Sequence, residues 1–383
     1  MQPKSILRSI LGVGALAVAL AAQADVKVGV ILSSTGQAAS LGILEKNGVA
    51  LAASGVKEKF KFIYVDDATD PSEAARVAKK LITEEKVDVI IGTTGTPGAL
   101  AISSVAAEGR TPVISQAPAN ILVQPVDAQR RWIFKTTTND DHEANPLLAH
   151  MKAGGVRNLA FIGFADSYGD QWLRMIKQLG GEQQLQLVTE ERFARTDTTV
   201  ASQVLKIVSK SPDAVMIAAS GGAAATPVLE LRKRGYKGKI YVTLGATFGD
   251  FLRLAGPEAE GLYAPFAAVM GVSQLPDADP TKRSAQEFVQ AYDAKFGANS
   301  GNIFSAGGWD AVKLLDQAAP VALKTAASGT LEFREALRTA LENVKGMPGA
   351  RGIYTLSATD HAGLDSRALR VGRYEKGRWV LQN

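Results

Sequence analysis

Two loops rich in glycine and hydroxyl side chains are the first candidates for chemistry in this 383-residue chain. They read Ser33-Ser34-Thr35-Gly36-Gln37-Ala38-Ala39-Ser40-Leu41-Gly42 and Gly92-Thr93-Thr94-Gly95-Thr96-Pro97-Gly98, and each joins an apolar run to a helical pattern. Free backbone N–H groups, the positive end of a helix dipole and hydroxyl donors together make such a loop a receptor for an anion. Neither loop contains G-x-x-x-x-G-K-[ST], which argues against a nucleoside triphosphate. The same hydroxyls would also serve as ordinary N-caps. Comparable loops follow at Ser115-Gln116-Ala117-Pro118-Ala119-Asn120, at Phe164-Ala165-Asp166-Ser167-Tyr168-Gly169-Asp170, at Ala219-Ser220-Gly221-Gly222 and at Gly245-Ala246-Thr247-Phe248.

Other chemistries find little support. The chain has no cysteine, which removes disulfides, thiolate metal sites and thiol nucleophiles, and its three histidines (His142, His150, His361) lack metal-ligand spacing. No metal and no cofactor is expected. Ala218-Ala219-Ser220-Gly221-Gly222 is a loose variant of a nucleophile elbow, and Ser220, Asp310 or Asp316, then His361 keep a Ser–acid–His order. That hydrolase reading is a remote alternative, because the first glycine of the elbow is Ala218 and a triad is defined by geometry rather than order. The adjacent acids Asp66-Asp67, Glu84-Glu85, Asp140-Asp141 and Glu190-Glu191 diverge on either kind of element and read as solvated ends. A formal charge of +5, with no basic run interleaved with aromatics, points to no nucleic acid.

The elements that must position these loops alternate in type. Short apolar runs at 26–32, 60–65, 87–91, 112–115, 132–135, 159–164, 185–193, 214–219, 239–244 and 261–269 read as strands, several buried on both faces. Between them lie helical stripes: Ala74, Val77, Ala78, Leu81 and Ile82 after an Asp70-Pro71-Ser72-Glu73 start signal, and Ala201, Val204, Leu205 and Val208 in the second block. Strand–helix alternation implies right-handed βαβ units, and ligands of such sheets sit beyond the strands' carboxyl ends. Residues 1–24 combine a basic start, a short apolar run and Ala22-Gln23-Ala24, the features of a secretory signal peptide. Without a cysteine after that site, the mature protein is expected in the periplasm without a lipid anchor.

Taken in order, these pieces resemble the type I periplasmic binding proteins of ABC importers, in the leucine/isoleucine/valine-binding branch. The resemblance rests on Ser34-Thr35-Gly36 with Ser40-Leu41-Gly42, Asp66-Asp67 with Asp70-Pro71, Ile91-Gly92-Thr93-Thr94, Phe134-Lys135-Thr136 and Tyr168-Gly169. It implies two Rossmann-like α/β lobes with a ligand cleft between them and a multi-strand hinge. The expected lobes are 25–137 plus 266–345 and 138–265 plus 346–383. It also implies a binding protein rather than an enzyme: a monomer that captures a small carboxylate and presents it to a membrane permease. The third-strand loop (Thr93, Thr94, Gly95, Thr96) and fourth-strand loop (Gln116, Ala117) would grip the carboxylate. Ser34, Ser40 and Leu41 would line the pocket, and Phe164, Tyr168, Ser220, Gly221 and Phe248 would close over it.

The chain departs from the amino-acid pattern at Ala119, at Gly221-Gly222-Ala223 and at Leu244-Gly245-Ala246, where the acid that balances an ammonium is missing. A desolvated ammonium without a carboxylate costs several kcal/mol. The loops are also similar to those of family members that take up aromatic acids. An aromatic acid is therefore the expected ligand and a branched-chain or other amino acid the alternative, with Asp166 as a possible replacement acid or a helix cap.

Overall fold

The computed structural model describes residues 25–56 and 60–382, so the signal segment expected at 1–24 lies outside the described residues. Five parallel strands form the first sheet: β1 (Val26–Ile31), β2 (Phe60–Val65), β3 (Val89–Gly92), β4 (Val113–Ser115) and β5 (Ile133–Lys135), in the order β2-β1-β3-β4-β5. The second sheet has a parallel part made of β6 (Asn158–Phe164), β7 (Gln186–Phe193), β8 (Ala214–Ala218), β9 (Lys239–Val242) and β10 (Tyr263–Ala267). A short hairpin, β11 (Met347–Pro348) and β12 (Ile353–Tyr354), precedes β13 (Leu369–Glu375) and β14 (Arg378–Leu381). The last two extend the second sheet antiparallel, giving the order β14-β13-β10-β9-β8-β6-β7.

Local chemistry accounts for these elements. Every residue of β3 and β8 is buried, because helices cover both sheet faces and the strands need apolar side chains throughout. The helix Pro71–Thr83 begins where Asp70 accepts from the N–H groups of Ser72 and Glu73, with proline in its first turn, and it buries the expected stripe. The helix Ala201–Ser209 is rotated from its expected face. It buries Val204 and Ile207 and leaves Leu205 57% exposed, because its short length lets the sheet select one pair of contacts.

Three cores show how the chain is shared, one of them formed within the first lobe by residues from Ile31 to Ile133 with Ala362; the other two gather distant segments. One gathers Val26 to Phe134 with Ala311 to Ala368; the other gathers Ala144 to Ala306 with Leu369, Val371 and Trp379. The expected lobe boundaries therefore shift. The helix Lys282–Phe296 belongs to the second lobe through Ala285, Phe288 and Tyr292, while Met347, Tyr354 and Leu364 pack in the first. The chain passes from one core to the other between Phe134 and Ala144, between Ala306 and Ala311, and between Ala368 and Leu369. A helix's apolar stripe fits either lobe's sheet, so sequence pattern alone does not assign it.

One packing feature reaches the site. The helices Ala39–Ala53 and Ile303–Leu323 cross where a Cβ on Gly48 would overlap the Ser305 carbonyl and one on Gly308 would overlap the Glu45 carbonyl. Their backbones touch, which fixes Glu45 beside the lobe junction.

Candidate ligand-binding site

The carboxyl ends of both parallel sheets face one cavity. The first lobe lines it with Ala38, Leu41 and Glu45 after β1, Thr94, Gly95 and Thr96 after β3, and Gln116 and Pro118 after β4. The second lobe contributes Tyr168 after β6, Arg195 after β7, Ser220 after β8, and Leu244 and Gly245 after β9. Thr137, Glu143, Phe304 and Arg351 complete the wall near the crossovers.

Four ionisable residues dominate its electrostatics. Glu45, buried and hydrogen-bonded by Thr94 Oγ1 to its Oε2 at 2.7 Å, has its carboxyl raised to about 8, chiefly by desolvation. Glu143, buried at the start of the helix Asp140–Ala153, is likewise raised to about 8, by burial first and by nearby Asp140 next. Its Oε2 accepts from the Leu244 N–H at 3.3 Å. At neutral pH both are therefore largely neutral acids, able to donate as well as accept. Arg351 lies within the field of both and donates from Nη1 to the Ile303 carbonyl at 3.1 Å. Asp310 fixes it from behind, accepting from the N–H groups of Ala350 and Arg351 and from the Tyr354 hydroxyl.

Arg195 is held on three sides. Its Nε donates to Asp166 Oδ2 at 2.6 Å, its Nη1 to Ser220 Oγ at 3.3 Å, and its guanidinium sits 4.0 Å from the Phe164 ring centroid. Asp166 is also the N-cap of the helix Ser167–Glu182, accepting from Tyr168 and Gly169 N–H. One carboxylate thus starts the helix and orients the arginine.

Three polar groups of the lining residues are buried without a protein partner: Thr96 Oγ1, Gln116 Nε2 and Arg351 Nε. All three can donate. Gln116 and Arg351 are also neighbours, since a Cβ on Gly307 would lie 2.5 Å from Gln116 Oε1 and 3.2 Å from Arg351 Nη1. Buried donors are rarely left unpaired in native proteins, and all three side chains belong to residues that line the cavity.

Of the residues expected from sequence, Leu41, Thr94, Gly95, Thr96, Gln116, Tyr168 and Ser220 line this cavity. The others lie elsewhere. Ser34 donates its N–H to Asp66 in a separate surface depression. Thr93 is buried, its hydroxyl donating to the Gly95 carbonyl. Ala117 is a core residue whose N–H already donates to Ser115 Oγ, so it has no group to offer a ligand. Phe164 is buried beneath Arg195 and touches the cavity only through it. Phe248 lines a different groove with Met270 and Trp379. Ser40 and Gly221 face each other across the lobes, Ser40 Oγ being 3.3 Å from where a Gly221 Cβ would stand.

Two further corrections concern chemistry. The hydroxyl of Thr94 is committed, because it accepts from the Ser33 N–H and donates to Glu45. The expectation of a cavity without an acid is overturned by Glu45 and Glu143. Sequence reading missed these two together with Arg195 and Arg351, since an isolated charge on a helix or after a strand reads as solvated. A faint signal existed at Glu45, which shares the inner face of its helix with Leu41, Gly48 and Val49.

The structure does not assemble the hydrolase alternative. Asp310 is occupied as described, and His361 is fully buried against Phe134, with Nδ1 at the Ile133 carbonyl and Nε2 at Glu342. Ser220 pairs with Arg195 instead. Among the described residues no cluster of His, Asp and Glu could hold a metal ion.

Comparison with known proteins agrees with this architecture. A sequence model of the family described as periplasmic binding protein matches residues 25–378. An extracellular ligand-binding receptor from Rhodopseudomonas palustris HaA2 is 40% identical, with a TM-score of 0.90 over 94% of this chain and 100% of its own. A solute-binding protein of an ABC transporter from R. palustris, solved in complex with benzoate, is 24% identical, with a TM-score of 0.80 over 94% of this chain and 95% of its own. A Leu/Ile/Val-binding protein homolog from Brucella melitensis biotype 1 is 21% identical over 384 residues, 98% of each chain.

Proposed function

Because the chain belongs to the periplasmic binding protein family, in the type I group that includes the Leu/Ile/Val binders, we propose that it captures a small aromatic carboxylate and delivers it to the permease of an ABC importer. The observation that carries this reading is the trio of unpaired buried donors, Thr96 Oγ1, Gln116 Nε2 and Arg351 Nε, among the residues that line one cavity. A carboxylate supplies up to four lone-pair sites in a small volume, and charge-assisted bonds to it are the strong ones. Leu41, Pro118, Tyr168, Leu244 and Phe304 give the cavity apolar walls for a ring. Gly245 keeps one side thin, since a Cβ there would stand 2.7 Å from that of Ser220. A protein of the same fold was solved with benzoate, so the fold admits an aromatic acid.

The protein works by binding rather than by chemistry. The two lobes close on the ligand through their three crossovers, and the ligand favours closure by its greater affinity for that form. In this reading the chain acts as a periplasmic monomer after removal of residues 1–24.

A second reading, a branched-chain amino acid, is favoured by Glu45 and Glu143. Burial holds both largely neutral at pH 7, so an ammonium would first have to draw a proton off one of them. The deciding experiment is a thermal-shift screen of the unfolded and refolded protein with benzoates, cinnamates, aliphatic acids and amino acids, since a ligand of the native state raises its midpoint. Stabilisation by aromatic acids supports the proposal. Stabilisation by leucine or valine alone replaces it with the second reading.

A further inference from the structure

Arg195 lines the cavity from the second lobe, and nothing in a simple carboxylate-binding scheme needs it. It is presented by the second lobe after β7, whereas Thr96 and Gln116 belong to the first. Its guanidinium is oriented by Asp166 at 2.6 Å, Ser220 at 3.3 Å and the Phe164 ring at 4.0 Å. Those contacts use Nε and Nη1, and the side chain retains 18% exposure at the cavity. A guanidinium carries five N–H donors, so a rigid fork with donors to spare lines the cavity on the side of the second lobe.

We propose that Arg195 is a specificity-determining residue, reading a neutral hydrogen-bonding substituent on the ligand at the end opposite its carboxylate. This rests on the aromatic-carboxylate reading and narrows it to ring-substituted acids. The neutral character follows from Asp166. That carboxylate already balances Arg195, and a second anion brought to the same guanidinium would lie close to it and be repelled. A phenolic hydroxyl, ether or carbonyl accepts from the spare N–H groups without that penalty, and Ser220 Oγ can take the proton of a hydroxyl.

The test is calorimetric titration of the refolded full-length mature protein with two matched pairs: benzoate against 4-hydroxybenzoate, and cinnamate against 4-hydroxycinnamate. The 4-carboxylate analogues form a third arm. In the wild type the hydroxylated member of at least one pair is expected to bind about 10-fold or more tightly, the effect of a hydrogen bond to a charged group. The dicarboxylate should gain nothing. Arg195→Gln should erase that preference, the hydroxylated and unsubstituted acids then binding within about threefold of each other, and Arg195→Lys should retain part of it. Equal affinity within both pairs overturns the inference and leaves the carboxylate reading standing. So does a preference that survives Arg195→Gln, or one abolished by Glu143→Gln instead. Failure of every aromatic acid to bind overturns both.

Discussion

Thr94 and Thr96 stand two residues apart in one loop, yet the structure assigns their hydroxyls opposite roles. Thr96 Oγ1 is buried at the cavity wall without a protein partner, whereas Thr94 Oγ1 accepts from Ser33 N–H and donates to Glu45. Thr→Val keeps the shape and removes the hydroxyl, so the pair separates binding from stability. A hydrogen bond to a charged ligand is worth about 1.5–3 kcal/mol, so Thr96→Val should weaken binding roughly 10- to 150-fold. Its melting temperature should stay within about 1 °C. Thr94→Val instead leaves a buried N–H and a buried carboxyl short of a partner, a loss of about 2–4 kcal/mol. An unfolding entropy near 2.1 cal/mol/K per residue over about 360 residues gives roughly 0.75 kcal/mol/K, so the midpoint should fall by about 3–5 °C. Its affinity should change by less than about threefold. Calorimetry with whichever ligand the screen returns, and differential scanning calorimetry of the free proteins, read the two quantities. Unchanged affinity in Thr96→Val would refute the assignment of unpaired donors to the ligand.

Three other expectations follow from the same geometry. Glu45 and Glu143, ordinarily near 4.5 and raised to about 8 when folded, make the native state bind more protons than the unfolded chain between those pH values. Stability contributed by these groups therefore falls as pH rises from about 4.5 to 8. Urea midpoints at pH 5, 7 and 8.5 should fall less steeply in the Glu45→Gln/Glu143→Gln double variant, and an unaltered slope would contradict this. Asp310→Asn loses the carboxylate that holds Ala350, Arg351 and Tyr354, and should lower stability by about 2–4 kcal/mol, read from denaturant unfolding. Ser40→Trp places bulk where Ser40 meets Gly221 across the lobes. If it reduces the closed population tenfold, apparent affinity falls about tenfold, and X-ray scattering should show a larger radius with ligand present. An unchanged radius and affinity would mean that this contact does not gate closure.

Much of the scaffold was legible before any coordinates. Short, nearly continuous apolar runs identified the parallel strands of both lobes, and Asp70-Pro71-Ser72-Glu73 marked a helix start that the structure reproduces with two capping bonds. These features are local, involving residues within a turn or a strand of one another, where stereochemistry leaves few options. The loops at the strand ends were legible for the same reason, and Thr96, Gln116, Tyr168 and Ser220 were found through them.

The return segments and the charged wall were not. Whether the helix Lys282–Phe296 or the hairpin at Met347–Tyr354 serves one lobe or the other depends on which sheet offers the complementary face. Glu45, Glu143, Arg195 and Arg351 lie on four separate elements spread over some 300 positions, and each reads alone as a solvated charge. Phe248 shows the converse: a strand-end aromatic that looks like pocket lining turns instead into a groove with Trp379. The amino-acid sequence by itself determined the elements and the loops that end them, because those follow from backbone sterics and local hydrogen bonding. Only the tertiary structure decided which charges lose their water and meet in one cavity, because desolvation and Coulomb interaction depend on distances that chain order does not set.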